Sequence, residues 1–224
     1  MAAHEISIPW TEIDTVLVDM DGTLLDLAFD NFFWLELVPA RYAQLRGMDA
    51  AAAHAAVATK YASVLGTLPW YCLDHWSREL GLDIRGLKSE HRHLIRFLPM
   101  VPEFLEDVRA RGKRLLLVTN AHRDALALKI AQTGLARHFD GLVCAHELEA
   151  PKESPAFWPR LMQRHPFDPG RALLLEDSAP VLAAARAFGV RHAIGMRRPD
   201  SRRPPRPIEG FPCVDGLGDL CAST

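Results

Sequence analysis

The chain has 224 residues, 49% hydrophobic and 24% charged, a size and balance that suit one soluble domain or a core with a modest insert. Its 26 Lys and Arg against 28 Asp and Glu leave a formal charge of −2, which removes the electrostatic drive of a dedicated nucleic-acid binder. The four cysteines (Cys72, Cys144, Cys213, Cys221) form no Cys-x-x-Cys pair, the first ten residues carry no basic-then-apolar leader, and no uncharged apolar stretch nears the roughly 20 residues that span a bilayer. A reducing, cytoplasmic setting without a membrane partner is expected.

In chain order, Thr15–Val18 reads as a buried strand ending at Asp19. Residues 27–98 then contain no convincing strand and read as helices over 30–38, 49–65, 70–80 and 87–96, punctuated by Pro39, Gly47, Pro69 and Gly81. Strands follow at 114–118, Gly141–Cys144, 171–175 and, more weakly, 191–196. They alternate with helices at 102–111, 123–132, 155–164 and 180–188, three of them closed by Gly112, Gly134 and Gly189. Strand alternating with helix predicts an α/β fold, a Rossmann-like parallel sheet covered on both faces. The domain organisation expected is a core of residues 1–26 plus 99–224 interrupted by an all-helical insert, 27–98. Residues 197–207, with five Arg and four Pro, cannot form regular structure; a solvated loop is expected there, with an anion-binding patch as the alternative.

Ligands bind such sheets beyond the carboxyl ends of the strands, and three strand ends carry polar clusters. Asp19-Met20-Asp21-Gly22-Thr23 sends two carboxylates, at i and i+2, from one strand toward one point, a start for a Mg²⁺ site, with Gly22 allowing a tight turn. Thr119 and Asn120 offer a hydroxyl and free amides for a phosphoryl oxygen, although Thr at a strand end is more often simple helix entry. Lys152 could neutralise phosphate charge. Glu176 and Asp177 are adjacent acids beside a buried sheet, costly unless a cation or hydrogen bonds compensate, and Ser178 is placed to cap the next helix. Together they supply positioning and charge neutralisation, the needs of phosphoryl transfer.

The order Asp-x-Asp-Gly-Thr, Thr-Asn, Lys, Glu-Asp resembles the haloacid dehalogenase-like hydrolase superfamily over essentially the whole chain. The strings Asn31-Phe32-Phe33-Trp34, Trp70-Tyr71-Cys72-Leu73-Asp74, Trp76 and Thr119-Asn120-Ala121-His122 look similar to its bacterial GMP/IMP nucleotidase branch. The resemblance implies a helical cap at the insert and a phosphomonoesterase acting through an aspartyl-phosphate. It implies Asp19 as nucleophile, Asp21 as acid and base, Thr119, Asn120 and Lys152 on the phosphoryl group, and Mg²⁺ bound by Asp19, the Asp21 carbonyl and Asp177 with Glu176 near or in the shell. The implied partner is a small phosphate ester, a purine nucleotide; no protein partner is evident. The alternatives are a phosphatase for a sugar phosphate or phosphoglycolate, a sugar-phosphate mutase, and a non-catalytic binding module. For selectivity, Trp70, Tyr71, Asp74 and Trp76 are candidates: aromatic faces stack on purines, and Trp70 and Asp74 at i, i+4 could share one helix face. Packing of the cap's own small core is the competing explanation for these aromatics.

Overall fold

The computed structural model describes residues 6–221; residues 1–5, on which part of the leader expectation rests, lie outside the described residues. Strands β1 (Thr15–Val18), β2 (Arg114–Thr119), β3 (Gly141–Cys144), β4 (Ala172–Glu176), β5 (His192–Met196) and β6 (Cys213–Val214) pair in parallel in the order β3-β2-β1-β4-β5-β6. Strand β6, only two residues long, is too short to show in the sequence pattern. The alternation of side chains divides the core in two. Val16, Val18, Leu115 and Leu117 join one apolar cluster, whereas Leu17, Leu116, Val118 and Leu174 join another.

The connectivity positions the site. From β1 the chain builds outward to β2 and β3, then returns to the other side of β1 and builds outward again through β4, β5 and β6. Connections therefore leave adjacent β1 and β4 in opposite directions, which opens a crevice at their carboxyl ends.

Between β1 and β2 lies the helical insert. Helix α1 (Ala28–Phe32) continues through a π turn, Phe33–Leu37, into α2 (Val38–Arg46), so the stop expected at Pro39 does not occur. Proline lacks the amide that would bond back one turn, and the widened turn immediately before it takes up that mismatch. Gly47, at φ +61°, ends the helix instead. Helix α3 (Ala50–Val64) begins where the Asp49 carboxylate accepts the Ala52 amide at 2.9 Å. The single helix expected over 70–80 is two, α4 (Leu68–Tyr71) and α5 (Leu73–Leu80), broken by the extended backbone of Cys72. The helix expected at 87–96 starts earlier and ends sooner as α6 (Ile84–Glu90), because Asp83 caps it by accepting the Gly86 amide at 2.9 Å. A short 3₁₀ turn, Arg92–Leu94, follows. These helices share a cluster of their own built on Phe33, Val57, Tyr61, Trp76, Leu80 and Ile84. The chain enters and leaves the insert side by side: the Asp26 amide donates to the Arg96 carbonyl at 3.0 Å, and the Leu98 amide to that of Leu24 at 2.9 Å.

Helices α7 (Val101–Ala110), α8 (Arg123–Thr133), α9 (Phe157–Arg164) and α10 (Ala179–Phe188) cover the sheet. The stretch 197–207 is irregular, as expected, but it is not a solvated loop throughout. Pro199 and Asp200 are buried; Asn31 of the insert donates to Asp200 at 2.6 Å, and the Ser201 amide donates to Asp26 at 3.0 Å. Hydrogen bonds to the Asp200 and Asp26 carboxylates hold this segment against the core and the insert. Among the described residues, no helix is long and apolar enough to cross a membrane.

Leu17 is fully buried at the middle of the central strand. Leu17→Ala is expected to lower stability by about 2–5 kcal/mol in denaturant unfolding, with a substantial cavity term because both neighbouring strands hold the site rigid.

Candidate active site

Beyond β1 the backbone turns at Gly22, whose φ of +91° disfavours a side chain. A Cβ there would also sit 2.6 Å from Asp177 Oδ2 and 2.9 Å from Pro199 Cβ. This close approach joins the ends of β1 and β4. At the end of β2, Thr119 Oγ1 accepts the Ala121 amide at 3.0 Å, which leaves its hydroxyl proton free to donate. Asn120 accepts the Lys152 amide at 2.8 Å and donates to Glu153 at 2.9 Å, holding the segment after β3 in place. Lys152 is almost wholly buried; its ammonium donates to Asp19 Oδ1, to Glu176 Oε2 at 2.7 Å and to the Val118 carbonyl at 3.0 Å. Glu176 Oε1 accepts the Ser178 amide at 3.1 Å, and Ser178, although first before α10, makes no side-chain cap. Asp177 pairs with Arg206, reached from the Arg/Pro-rich segment. Arg206 is a site residue that composition alone could not single out among five arginines.

Asp19, Glu176 and Asp177 each present a carboxylate oxygen within 4.8 Å of the others. Burial pushes all three up to about 7, and mutual repulsion adds to it, from Glu176 on Asp19, from Asp177 on Glu176 and from Asp19 on Asp177. Burial would lower Lys152, but Asp19 and Glu176 outweigh it and hold the ammonium above its usual range. Asp19 Oδ2 is buried and has no hydrogen-bond partner. An all-oxygen donor set, negative charge in excess of one ammonium and an orphaned carboxylate oxygen fit a hard divalent cation. The Asp21 side chain is not part of this cluster: its carboxylate accepts from Lys129 at 2.6 Å.

Lys129 was not legible as a site residue. It is buried and also donates to Asp30 at 2.7 Å, and Asp30 in turn accepts from buried Lys88 at 2.7 Å. Burial opposes the charge on Asp30, yet the two ammonium groups hold it well below the usual carboxylate range. Burial raises Asp21 despite Lys129 beside it. A chain of alternating charges thus runs from Asp21 of the core to Asp30 and Lys88 of the insert. One signal was available: Lys88 lies four residues after buried Ile84, on the inward face of its helix.

A cavity of about 440 Å³ opens over these groups, roofed by aromatic side chains of the insert, among them Trp34, Tyr61, Trp70 and Tyr71. Trp76 reaches the cavity but is 1% exposed, and its indole donates to the Trp70 carbonyl at 2.7 Å, so it packs the insert's core. Tyr71 donates to Glu153 at 2.9 Å across the junction with the core. Asp74 does not line the cavity. The break at Cys72 puts it on a different helix from Trp70, and its carboxylate pairs with Arg85 at 2.6 Å. The shared helix face expected for Trp70 and Asp74 therefore does not exist.

The profile of the haloacid dehalogenase-like hydrolase family matches residues 13–189. The chain belongs to the haloacid dehalogenase-like hydrolases. The chain is 42% identical over 218 residues to the GMP/IMP nucleotidase YrfG of Escherichia coli, covering 97% of this chain and 98% of that one. It is 29% identical over 194 residues to a phosphoglycolate phosphatase of Cupriavidus necator, covering 83% and 80% of the two chains. Among solved structures, a haloacid dehalogenase-like phosphatase from Thermococcus onnurineus superposes with a TM-score of 0.78 at 21% identity, over 92% of this chain and 95% of that one, a likeness of fold.

The raised carboxylates have a consequence for stability. Asp19, Glu176 and Asp177 move from 3.8, 4.5 and 3.8 to about 7, so between about pH 4 and 7 the folded metal-free protein binds more protons than the unfolded chain. Their contribution to stability therefore falls as pH rises through that window. In thermal melts, Mg²⁺ is expected to raise Tm most at and above pH 7, where the carboxylates are ionised, and little at pH 4.5; an equal rise at both would contradict the assignment of the cluster.

Proposed function

We propose that this hydrolase is a Mg²⁺-dependent phosphatase of purine nucleoside 5′-monophosphates, GMP and IMP. The observation that carries the reading is 42% identity along 97% of the chain to the GMP/IMP nucleotidase of E. coli. The aromatic roof over a carboxylate-lined cavity supports it, since flat aromatic faces stack on purines. In this reading residues 1–26 and 99–224 are the catalytic core and 27–98 a cap over it. All four cysteines are free thiols, in keeping with a reducing cytoplasm.

Lys152 occupies Oδ1 of Asp19, which leaves Oδ2 as the oxygen that attacks phosphorus. The P–O ester bond breaks as Asp21 gives its proton to the leaving oxygen, and the phosphoryl group remains on Asp19. Asp21 then takes a proton from the water that attacks this aspartyl-phosphate, releasing phosphate and restoring Asp19. Thr119 donates its free hydroxyl proton to a phosphoryl oxygen, Asn120 fixes the Lys152 backbone, and the Lys152 charge offsets that of the phosphoryl group. Asp19, Asp177 and the Asp21 carbonyl, with Glu176 beside them, would hold Mg²⁺, which would supply further neutralisation of phosphate charge.

Phosphate release from GMP, IMP, AMP and a small aryl phosphate, with and without Mg²⁺, tests the reading. GMP and IMP are expected to be turned over most efficiently, and Asp19→Asn or a chelator to reduce turnover by several orders of magnitude. Full activity of Asp19→Asn would overturn the covalent route; a preference for another ester would overturn the substrate and leave the route standing.

Trp70 separates recognition of the base from packing. Trp70→Leu is expected to lower kcat/KM for GMP at least about tenfold more than for the aryl phosphate, a difference of about 1.4 kcal/mol. Parallel losses with a lowered Tm would make the residue structural.

A further inference from the structure

A second group of metal-ligating side chains lies beside the cavity, apart from the carboxylates that face the phosphoryl position. Cys72, Asp74 and His122 present a thiol, a carboxylate oxygen and an imidazole nitrogen, all within 4.8 Å of one another. Cys72 is the extended link between α4 and α5, Asp74 lies in the first turn of α5, and His122 caps the start of α8. Two donors therefore come from the insert and one from the core.

The surroundings suit an ion. Asp74 Oδ1 is held by Arg85 at 2.6 Å, while Oδ2 lies 3.8 Å from His122 Nε2 and is the oxygen turned to the cluster. On the far side of the ring, His122 Nδ1 accepts the Asp124 amide at 3.3 Å, so an ion at Nε2 would shift the ring proton to Nδ1 and release this cap, with Asp124 Oδ2 3.7 Å from that nitrogen. The His146 ring packs edge-on against His122, with centroids 5.1 Å apart, and fixes its plane. One sulfur, one nitrogen and one oxygen form a borderline-soft set, unlike the all-oxygen cluster of Asp19, Glu176 and Asp177. Thiolate and carboxylate together neutralise a divalent ion, the thiol proton passes to solvent, and three protein ligands leave a fourth tetrahedral position for water.

We propose that Cys72, Asp74 and His122 bind a thiophilic divalent cation, Zn²⁺, which ties the helical insert to the core. The inference is independent of which ester the enzyme hydrolyses. A bound ion would bridge the junction already spanned by the Tyr71–Glu153 hydrogen bond.

The test is a titration of the full reduced chain with Co²⁺ in excess Mg²⁺. A thiolate-to-Co²⁺ charge-transfer band is expected, saturating at a single ion, abolished by Zn²⁺ and absent in Cys72→Ser. Asp74→Asn and His122→Gln should weaken Co²⁺ binding by about tenfold or more. Hydrogen exchange at α5 and at the start of α8 should slow on adding Zn²⁺, and should not in Cys72→Ser. Should Cys72→Ser fail to fold, alkylation of the unsubstituted chain by iodoacetamide reads the same contact: Zn²⁺ must protect Cys72. Absence of the band, its persistence in folded Cys72→Ser, or unprotected Cys72 would each overturn the proposal.

Discussion

Carboxylates crowd the carboxyl ends of β1 and β4, with one ammonium, Lys152, buried among them, and this concentration of charge constrains the surrounding structure. Asp19, Glu176 and Asp177 are forced together because their two strands are neighbours in the sheet. Isolated, so many buried acids would be prohibitive; here each is held by a specific device. Asn120 pins the backbone that delivers Lys152, Arg206 arrives from a distant loop to meet Asp177, and Gly22 gives up a side chain so that the two strand ends can touch. The surplus negative charge that remains fits the cluster to a cation rather than to a closed salt-bridge network.

The insert extends the same electrostatics outward. Asp21, Lys129, Asp30 and Lys88 alternate in sign across the junction, so the side chain proposed as acid and base is oriented through a residue of the insert. Docking of the helices thus sets the direction of Asp21. Aromatic packing behind them, with Tyr61 edge-on to Trp70 and Trp76 at 5.4 and 4.8 Å, makes the roof stiff.

Much of this was legible because it is local. Strands β1 to β5 stand out as short apolar runs, and the candidate site residues sit at or just past their carboxyl ends, so Asp19, Thr119 and Glu176 could be placed before any contact was known. What could not be read depends on distant partners. Lys129 and Asp30 are 99 residues apart and meet only in the folded chain. Arg206 belongs to a segment whose composition suggests solvent, and only the buried charge of Asp177 explains its position. In the insert, periodicity misled where backbone geometry intervened: the π turn carried a helix past Pro39, and the extended backbone of Cys72 separated Trp70 from Asp74.

The paired entry and exit of the insert carry a further meaning. Asp26 bonds to Arg96 and Leu98 to Leu24, so the two points at which the chain leaves and rejoins the core are adjacent, and a hairpin-length turn would span them. The helices between therefore constitute an exchangeable module. A relative's module could be spliced onto these two junctions without altering any of β1 to β6. The donor would have to bring one thing besides a roof, a carboxylate at the place of Asp30; without it Lys129 would face Asp21 alone, and the graft would fold with the Asp21 side chain turned differently.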